Sequence, residues 1–505
     1  MKICLIRPPI VVPRYNQTAL FTPPLGLAYV AGKLVAGGFD VFVVDALGEA
    51  IEARHPVEND CQLFGLNLDQ VVVRVPDGIG LIGVSAAFSF EWPICRTLIA
   101  KLRARFPEAV LIAGGEHASA VPRECLEQSP LDACVIGEGE ESALELAGAV
   151  AGERRDWHAI AGLVWRTASG AIEVNDRRVR MRALDDEAWP AWELFPLEAY
   201  LDRGFGFGVN RGRSIPVLAS RGCPYQCTFC SSPQMWTTRW VARDPQKLIE
   251  ELAHYQKRYG AENFDFYDLT AIVKKDWIVE FCTSVLDRGM KFTWQLPSGT
   301  RSEAIDGEVA DLLFRSGCRN LSYSPESGSP AVLARIQKKI HPDRMVESIA
   351  SCVRHGLNVK CNIMLGFPGE TLKEVWESYR FIVRMALAGA HDLSIWAFSP
   401  YPGSRLYEEL VAAGRIVPDD AFYDKLRSYA DTTRTVSFSE HIPDATLKRL
   451  RFWGTVLFYV SSWLRRPARP FLIVCNILRG RQESRGEMAL AGILQRAGIL
   501  RRPTS

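Results

Sequence analysis

Three cysteines, Cys223, Cys227 and Cys230, stand at C-x3-C-x2-C spacing within the stretch Ser220–Cys230. So close together they can converge in one tight loop, and soft thiolates suit an iron–sulfur cluster. A cubane has four irons, so three local thiolates leave one iron open. A structural zinc site takes four ligands, and no fourth Cys or His lies nearby in the chain. Disulfide pairing fails on parity and on context: Met1–Ile6 reads as a strand, without a signal-peptide pattern. The other ten of the thirteen cysteines are scattered, so no auxiliary cluster is expected.

The loop must be held at the end of a strand. Ile215–Ala219 is expected to be that strand, with the cysteines leaving its carboxyl end, where α/β barrels place their chemistry. Further strands are expected at Asn263–Asp268, Lys291–Leu296, Asn320–Ser324, Val359–Leu365 and Leu393–Phe398, with helices between them. That makes six strand–helix units over about 213–410. Their ends carry Asp268, Ser298 with Arg301, Glu326-Ser327, and Asn362 leading into Gly366-Phe367-Pro368-Gly369-Glu370-Thr371. Residue type alone leaves two readings of the acids: ligand contacts on a barrel rim, or carboxylates that cap the next helix.

Residues 1 to about 150 alternate strands (Lys2–Ile6, Asp40–Asp45, Ile79–Ser85, Val110–Ala113, Asp132–Ile136) with helices, which implies a parallel, doubly wound sheet. Gly114-Gly115-Glu116-His117 and Gly137-Glu138-Gly139 follow strand ends, where glycine lets a ligand approach the backbone. No G-x-G-x-x-G follows the first strand, which disfavours a dinucleotide. Residues 151–212 read as a linker with a hairpin over Ala161–Ile172 and a Gly-rich stretch, Gly204–Gly208, that is either a flap or an ordinary loop.

Residues 411–505 read as a helical, basic region, with helices over Thr446–Leu464 and Pro470–Leu478. From Leu447 onward twelve Lys/Arg face two Glu, and the apolar run Phe452–Val460 is too short to span a bilayer. Basic residues beside an aromatic helix suit an anionic lipid surface; the plainer reading is a lid on the barrel with a solvated basic rim. The whole chain of 505 residues has 48% hydrophobic and 23% charged residues and a net charge of +2. That is ordinary composition for roughly two to four domains and implies no nucleic-acid partner.

The cysteine loop, with Phe229 just before its last Cys, resembles the signature of radical S-adenosylmethionine (SAM) enzymes. The ordered segments PPLGLAYVAGKL, IGVS, GGEHAS and IGEGE resemble the cobalamin-binding domain fused to many of them. The resemblance implies an α/β chain: a doubly wound cobalamin-binding domain (1–150), the linker, a partial (β/α)6 radical SAM barrel (213–410) and the helical tail. It implies a 4Fe-4S cluster on Cys223, Cys227 and Cys230, and SAM beside Phe229, Asp268, Ser298, Glu326, Ser327, Asn362 and Gly366. In that family Asp268 would take the amino group, Glu326 the ribose, and Gly366 would let adenine close. Cobalamin would meet Leu25, Ser85, Gly114, Gly115, Glu116, His117, Gly137, Glu138 and Gly139. Asp45-Ala46-Leu47-Gly48 lacks the D-x-H-x-x-G histidine that ligates cobalt, so cobalamin is expected without a protein histidine on the metal, and His117 near its tail.

The group's activities are methylation of an unactivated carbon or phosphorus and oxidative ring formation or contraction. Methyl transfer to a small-molecule or lipid-like substrate is the expectation, cyclisation like that of the anaerobic magnesium-protoporphyrin ester cyclase the alternative. A non-catalytic iron–sulfur and cobalamin module is the third reading. A flavodoxin- or ferredoxin-type reductant is implied, in the cytoplasm, with peripheral contact at the inner membrane face on the lipid reading.

Overall fold

A computed structural model describes residues 1–13, 21–58, 61–154, 156–429 and 434–496. Two parallel sheets organise it. The first contains β1 (Lys2–Arg7), β2 (Asp40–Asp45), β3 (Ile79–Ser85), β4 (Val110–Gly114), β5 (Ala133–Val135), β6 (Leu163–Arg166) and β7 (Ile172–Val174). Their order is β7-β6-β5-β4-β3-β1-β2, parallel from β2 to β5 and antiparallel for the last two pairs. The hairpin expected inside a linker therefore extends this sheet, because Leu163, Val164 and Trp165 are buried beside β5. Near-continuous apolar strands such as Ile3–Ile6 are what a sheet covered on both faces requires. The register aligns the carboxyl ends: Arg7 lies beside Asp45, Ser85 beside Gly114, and Gly114 beside Val135.

The second sheet runs in chain order through β8 (Ser214–Val217), β9 (Asn263–Phe266), β10 (Thr293–Thr300), β11 (Cys318–Glu326), β12 (Asn358–Leu365) and β13 (Asp392–Ala397). All its pairs are parallel, as in a partial barrel. Strong local signals set its helices. Pro245–Tyr259 starts on an Asp244 cap with Pro at its first position and stops at Gly260 in the left-handed conformation. Leu372–Ala388 starts on a Thr371/Glu374 capping box. β10 and β11 run past their expected ends, which puts Ser298 and Glu326 on strands instead of loops.

One apolar cluster runs through both sheets, from Ile3 and Leu5 through Trp192 and Phe195 of the connecting segment to Ile215, Phe264 and Leu365. The carboxyl edge of the first sheet meets the rim of the barrel. The lower end of the barrel is plugged from two directions. Gly208 N donates to Asp265 (2.8 Å) and Val209 N to Gln295 (2.9 Å). A Cβ on Gly206 or Gly208 would fall 2.6 Å from an Asp265 oxygen, so the Gly204–Gly208 stretch is a plug and not a flap. From the tail, Glu483 O accepts from Asn320 (2.8 Å) and Gly486 N donates to Asp392 (3.2 Å).

The long helix Asp444–Arg465 lies over Leu372–Ala388 and β13. Its Gly454 faces Tyr379 and Ile395, and Arg451 Nε donates to Ile395 O (3.0 Å). This is the lid reading of the tail. The same helices also present an outer face of apolar side chains to solvent. No described helix is long and apolar enough to cross a membrane.

Candidate active site

The cysteine loop leaves β8 through Ser220-Arg221, a short strand paired with Val241-Ala242. Gly222 has φ +89°, and a Cβ there would lie 2.2 Å from Arg239 O, so only glycine permits the turn. Thr228 anchors the loop's far side: its N donates to Ile336 O (3.0 Å) and its O accepts from Leu406 N (2.9 Å). Cys223, Cys227 and Cys230 are partly accessible, whereas every other cysteine except Cys475 is buried.

All three thiols line one open cleft. Burial raises all three thiol pKa values, and Lys338 pulls against that rise at Cys223 and Cys227. Among the described residues no three His, Cys, Asp or Glu side chains lie close enough to share one ion.

The rest of the cleft supplies charge and apolar walls. Phe229, Ser298, Ser324, Glu326 and Lys338 line it, as do Tyr225 and Arg301. Lys338 Nζ donates to Glu326 Oε1 (3.0 Å) and sits 5.8 Å from the Phe229 ring centroid. Arg301 lies 3.9 Å from the Tyr225 centroid. Burial opposes the Lys338 charge, but Glu326 and Cys227 outweigh it and raise its pKa; burial likewise raises Glu326, against the pull of Lys338. Glu326 has φ +67°, a left-handed conformation rare for a side chain of its type and found where a site imposes strain.

Of the seven positions expected around SAM, Phe229, Ser298 and Glu326 line the cleft. Asn362 stands one hydrogen bond behind it, donating to Ser324 Oγ (3.1 Å). The other three are turned elsewhere. Asp268 accepts from Ser220 Oγ (2.6 Å) and Ala219 N (3.1 Å), and burial raises its pKa to about 6 against those bonds. It ties β9 to the root of the cysteine loop and does not line the cleft. Ser327 shares a hydrogen bond with Ser378 on the helix behind (3.0 Å). The space above Gly366 is filled by Leu447, whose Cδ2 would lie 2.7 Å from an added Cβ. Lys338 was missed because it lies twelve residues beyond Glu326, just past a short helix, outside every strand-end segment.

The first sheet's carboxyl edge faces this loop. Ser231, next to Cys230, donates a short hydrogen bond to Glu116. Gly115, at φ +111°, brings its backbone to where a Cβ would lie 2.9 Å from Ala86 O, and Gly137, at φ +76°, faces Met235 O. Leu25 opens its helix, and Ser85 and Gly114 end adjacent strands on the same edge. Glu138 is committed differently from expectation. Its carboxylate accepts from Arg180 (3.0 and 3.2 Å) and lies 3.6 Å from Arg221, which also pairs with Glu140 (2.7 Å). Two guanidinium groups consume that side chain, leaving only its backbone for a ligand. His117 is fully buried, with Nδ1 bonded to Ser89 (3.0 Å) and its ring between Trp92 and Tyr423. Burial lowers its pKa to about 3, and its Nε2 has no partner.

Residues 217–382 match the family model of the radical SAM superfamily, and residues 15–147 that of the B12 binding domain. The chain is a cobalamin-binding radical SAM protein. An uncharacterized methyltransferase of Pyrococcus horikoshii is 28% identical over 415 residues, covering 82% of this chain and 83% of its own. The cytidylyl-2-hydroxyethylphosphonate methyltransferase of Streptomyces wedmorensis is 27% identical over 454 residues, 84% of each chain. The radical SAM methyltransferase TsrM of Kitasatospora setae, solved with cobalamin and a [4Fe-4S] cluster, superposes with a TM-score of 0.63 at 20% identity, over 82% of this chain and 78% of its own. That likeness is one of fold. The two domains imply a 4Fe-4S cluster, SAM and cobalamin, and the residues present fit them: three thiols in one cleft, a glycine-lined sheet edge and an orphaned imidazole nitrogen.

Proposed function

We propose that this radical SAM protein is a methyltransferase acting on an unactivated carbon of a small molecule, with Cys223, Cys227 and Cys230 holding the cluster. Ser298, Glu326 and Lys338 then face SAM, and the Gly114-Gly115 and Gly137–Gly139 edge faces cobalamin. When bound, these groups supply reductive SAM cleavage to a 5′-deoxyadenosyl radical and a methyl carrier, with an electron donor of the flavodoxin or ferredoxin type. The chain's own part is to position and to exclude water. Lys338 offsets thiolate charge, Tyr225 and Phe229 wall the cleft, and the Glu138–Arg221 pairing holds the two ligand edges together.

The contact of Glu116 with Ser231 carries the reading: the sheet edge that would hold cobalamin touches the residue beside the last cysteine. Both named relatives quoted above are methyltransferases, which favours that outcome over ring formation. The test is anaerobic protein loaded with iron, sulfide and cobalamin, given SAM and a strong reductant. It should release 5′-deoxyadenosine together with S-adenosylhomocysteine, and Cys227→Ala should release neither. 5′-Deoxyadenosine alone would point to cyclisation; no SAM turnover would leave a binding module.

We also infer that the tail rests on anionic lipid. Phe452 (60% exposed), Trp453 (59%), Leu464 (80%), Phe471 (73%) and Leu478 (70%) project from consecutive helices. Arg465, Arg466, Arg479 and Arg481 border them. Aromatic and aliphatic side chains framed by guanidinium groups match the interfacial zone of an anionic bilayer.

A further inference from the structure

Below the cysteine cleft the barrel has a polar lumen, and among the described residues one lysine in it has neither a hydrogen bond nor an ion pair. Lys360 belongs to the inward-facing set of β12, with Asn358, Asn362 and Met364, all less buried than the residues between them. Its strand neighbours are Ser322 on β11 and Asp392 on β13. Asp392 is already engaged: it accepts from Gly486 N (3.2 Å) and Tyr459 Oη (3.3 Å). Among the described residues Lys360 has no hydrogen bond and no ion pair; its ammonium lies 5.7 Å from the centroid of the Trp396 ring. Burial, with the Arg485 guanidinium nearby, lowers its pKa to about 7 against the pull of Asp392.

The lysine is linked to the site above. Trp396 Nε1 donates to Asn362 Oδ1 (3.3 Å), and Asn362 Nδ2 donates to Ser324 Oγ (3.1 Å), which lines the cysteine cleft. Lys360 also lines a narrow lower cavity that reaches Pro297, next to Ser298 of the upper cleft. An ammonium largely withdrawn from water without a hydrogen-bonded counter-charge is costly, and is compensated best by an anion with hydrogen bonds of its own. Asn358, Ser322 and Asn362 stand around it as neutral hydrogen-bonding groups, and the Asp392 carboxylate and Arg485 guanidinium line the same cavity.

We propose that Lys360 is a substrate-binding residue: it holds a carboxylate, phosphate or phosphonate of the substrate in the barrel lumen beside Trp396, so that the carbon to be modified points up to the cysteine cleft. The proposal rests on the radical SAM reading and narrows its substrate to small molecules with one anionic end.

The test is calorimetric titration of the full chain, loaded anaerobically with cluster and cobalamin, using inorganic phosphate, methylphosphonate and propionate in parallel. Wild type should bind at least one of them at a single site, and which one separates a phosphorus-centred anion from a carboxylate. Lys360→Met should weaken that binding about 10- to 100-fold, the usual worth of a charged hydrogen bond, and Lys360→Arg by less than tenfold. Lys360→Met should also melt no lower than wild type, since it removes a largely desolvated charge that has no hydrogen bond or ion pair. Wild type that binds none of the three anions, a Met variant that binds as tightly as wild type, or one that melts lower would each overturn the assignment. Release of 5′-deoxyadenosine by the wild-type preparation reports separately on the radical SAM reading, whatever the anions do.

Discussion

Lys338 and Glu326 form a charged pair that lines the cysteine cleft, and their side chains are only 13% and 9% exposed. At that burial the attraction is little screened, and removing one member strands the other. Lys338→Met should therefore cost about 2–4 kcal/mol in chemical denaturation, and also weaken SAM binding. The double variant Lys338→Met/Glu326→Gln should regain much of the stability, because no charge is left unpaired. A double variant as unstable as the single one would mean that Lys338 acts through packing on Phe229. The pair also shows what a single strand-end motif hides: Glu326 is recognisable beside Ser327-Gly328, whereas its partner comes from just past a helix, in a stretch that carries no pattern.

The turn after β12 makes a different point. Gly366-Phe367-Pro368-Gly369-Glu370-Thr371 looks like ligand-binding sequence, yet its glutamate is spent on the turn itself. Glu370 accepts from Gly366 N (2.5 Å) and Phe367 N (3.2 Å), and its other oxygen is buried without a partner. Burial raises its pKa from 4.5 to about 7 against those two bonds. The native state thus binds one proton more than the unfolded chain between those values, so this carboxyl's contribution falls as pH rises from about 4.5 to 7 and stays low above. Glu370→Gln mimics the protonated acid. Relative to wild type, the variant should gain about 1–3 kcal/mol between pH 4.5 and pH 8, read from urea melts at each pH. A constant difference across that range would rule out the titration.

The two layers are held together at their ligand edges by buried charge. Arg180 comes from the connecting segment and Arg221 from the cysteine loop, and both point at Glu138, with side chains of Arg180, Arg221 and Glu138 at most 7% exposed. Arg221 also lies 4.8 Å from the Tyr29 ring centroid. Glu138→Gln should leave two guanidinium groups under-compensated, lower stability by about 3–5 kcal/mol and speed proteolysis between the layers. Unchanged proteolysis would show that the apolar cluster alone joins them. On the outer surface, the tail should carry the protein down with vesicles containing phosphatidylserine but not with phosphatidylcholine alone. Phe452→Ser/Trp453→Ser should abolish that sedimentation. Equal binding to both vesicle types would remove charge from the account; binding to neither, with dimerisation through the same face, would make a second copy its partner.

Much of this was legible from residue order because it is local. Three thiols within eight residues, glycines after strands and alternating apolar strands and helices depend on spacing of a few residues, and they pointed to the two sheets, the cysteine loop and its cofactors. Side-chain direction is not local. Asp268, Ser327 and Gly366 stand in the segments expected to touch SAM, but hydrogen bonds from Ser220 and Ser378 and the packing of Leu447 turn them away. Glu138 was expected at a ligand and instead meets arginines about 40 and 80 residues away, since a buried carboxylate goes to the nearest charge that can compensate it. Lys338 and Lys360 drew no notice, because a lysine is ordinary until folding shows which ones are denied water. Sequence settled which chemistry the chain can hold; only the packed structure decided which side chains face it.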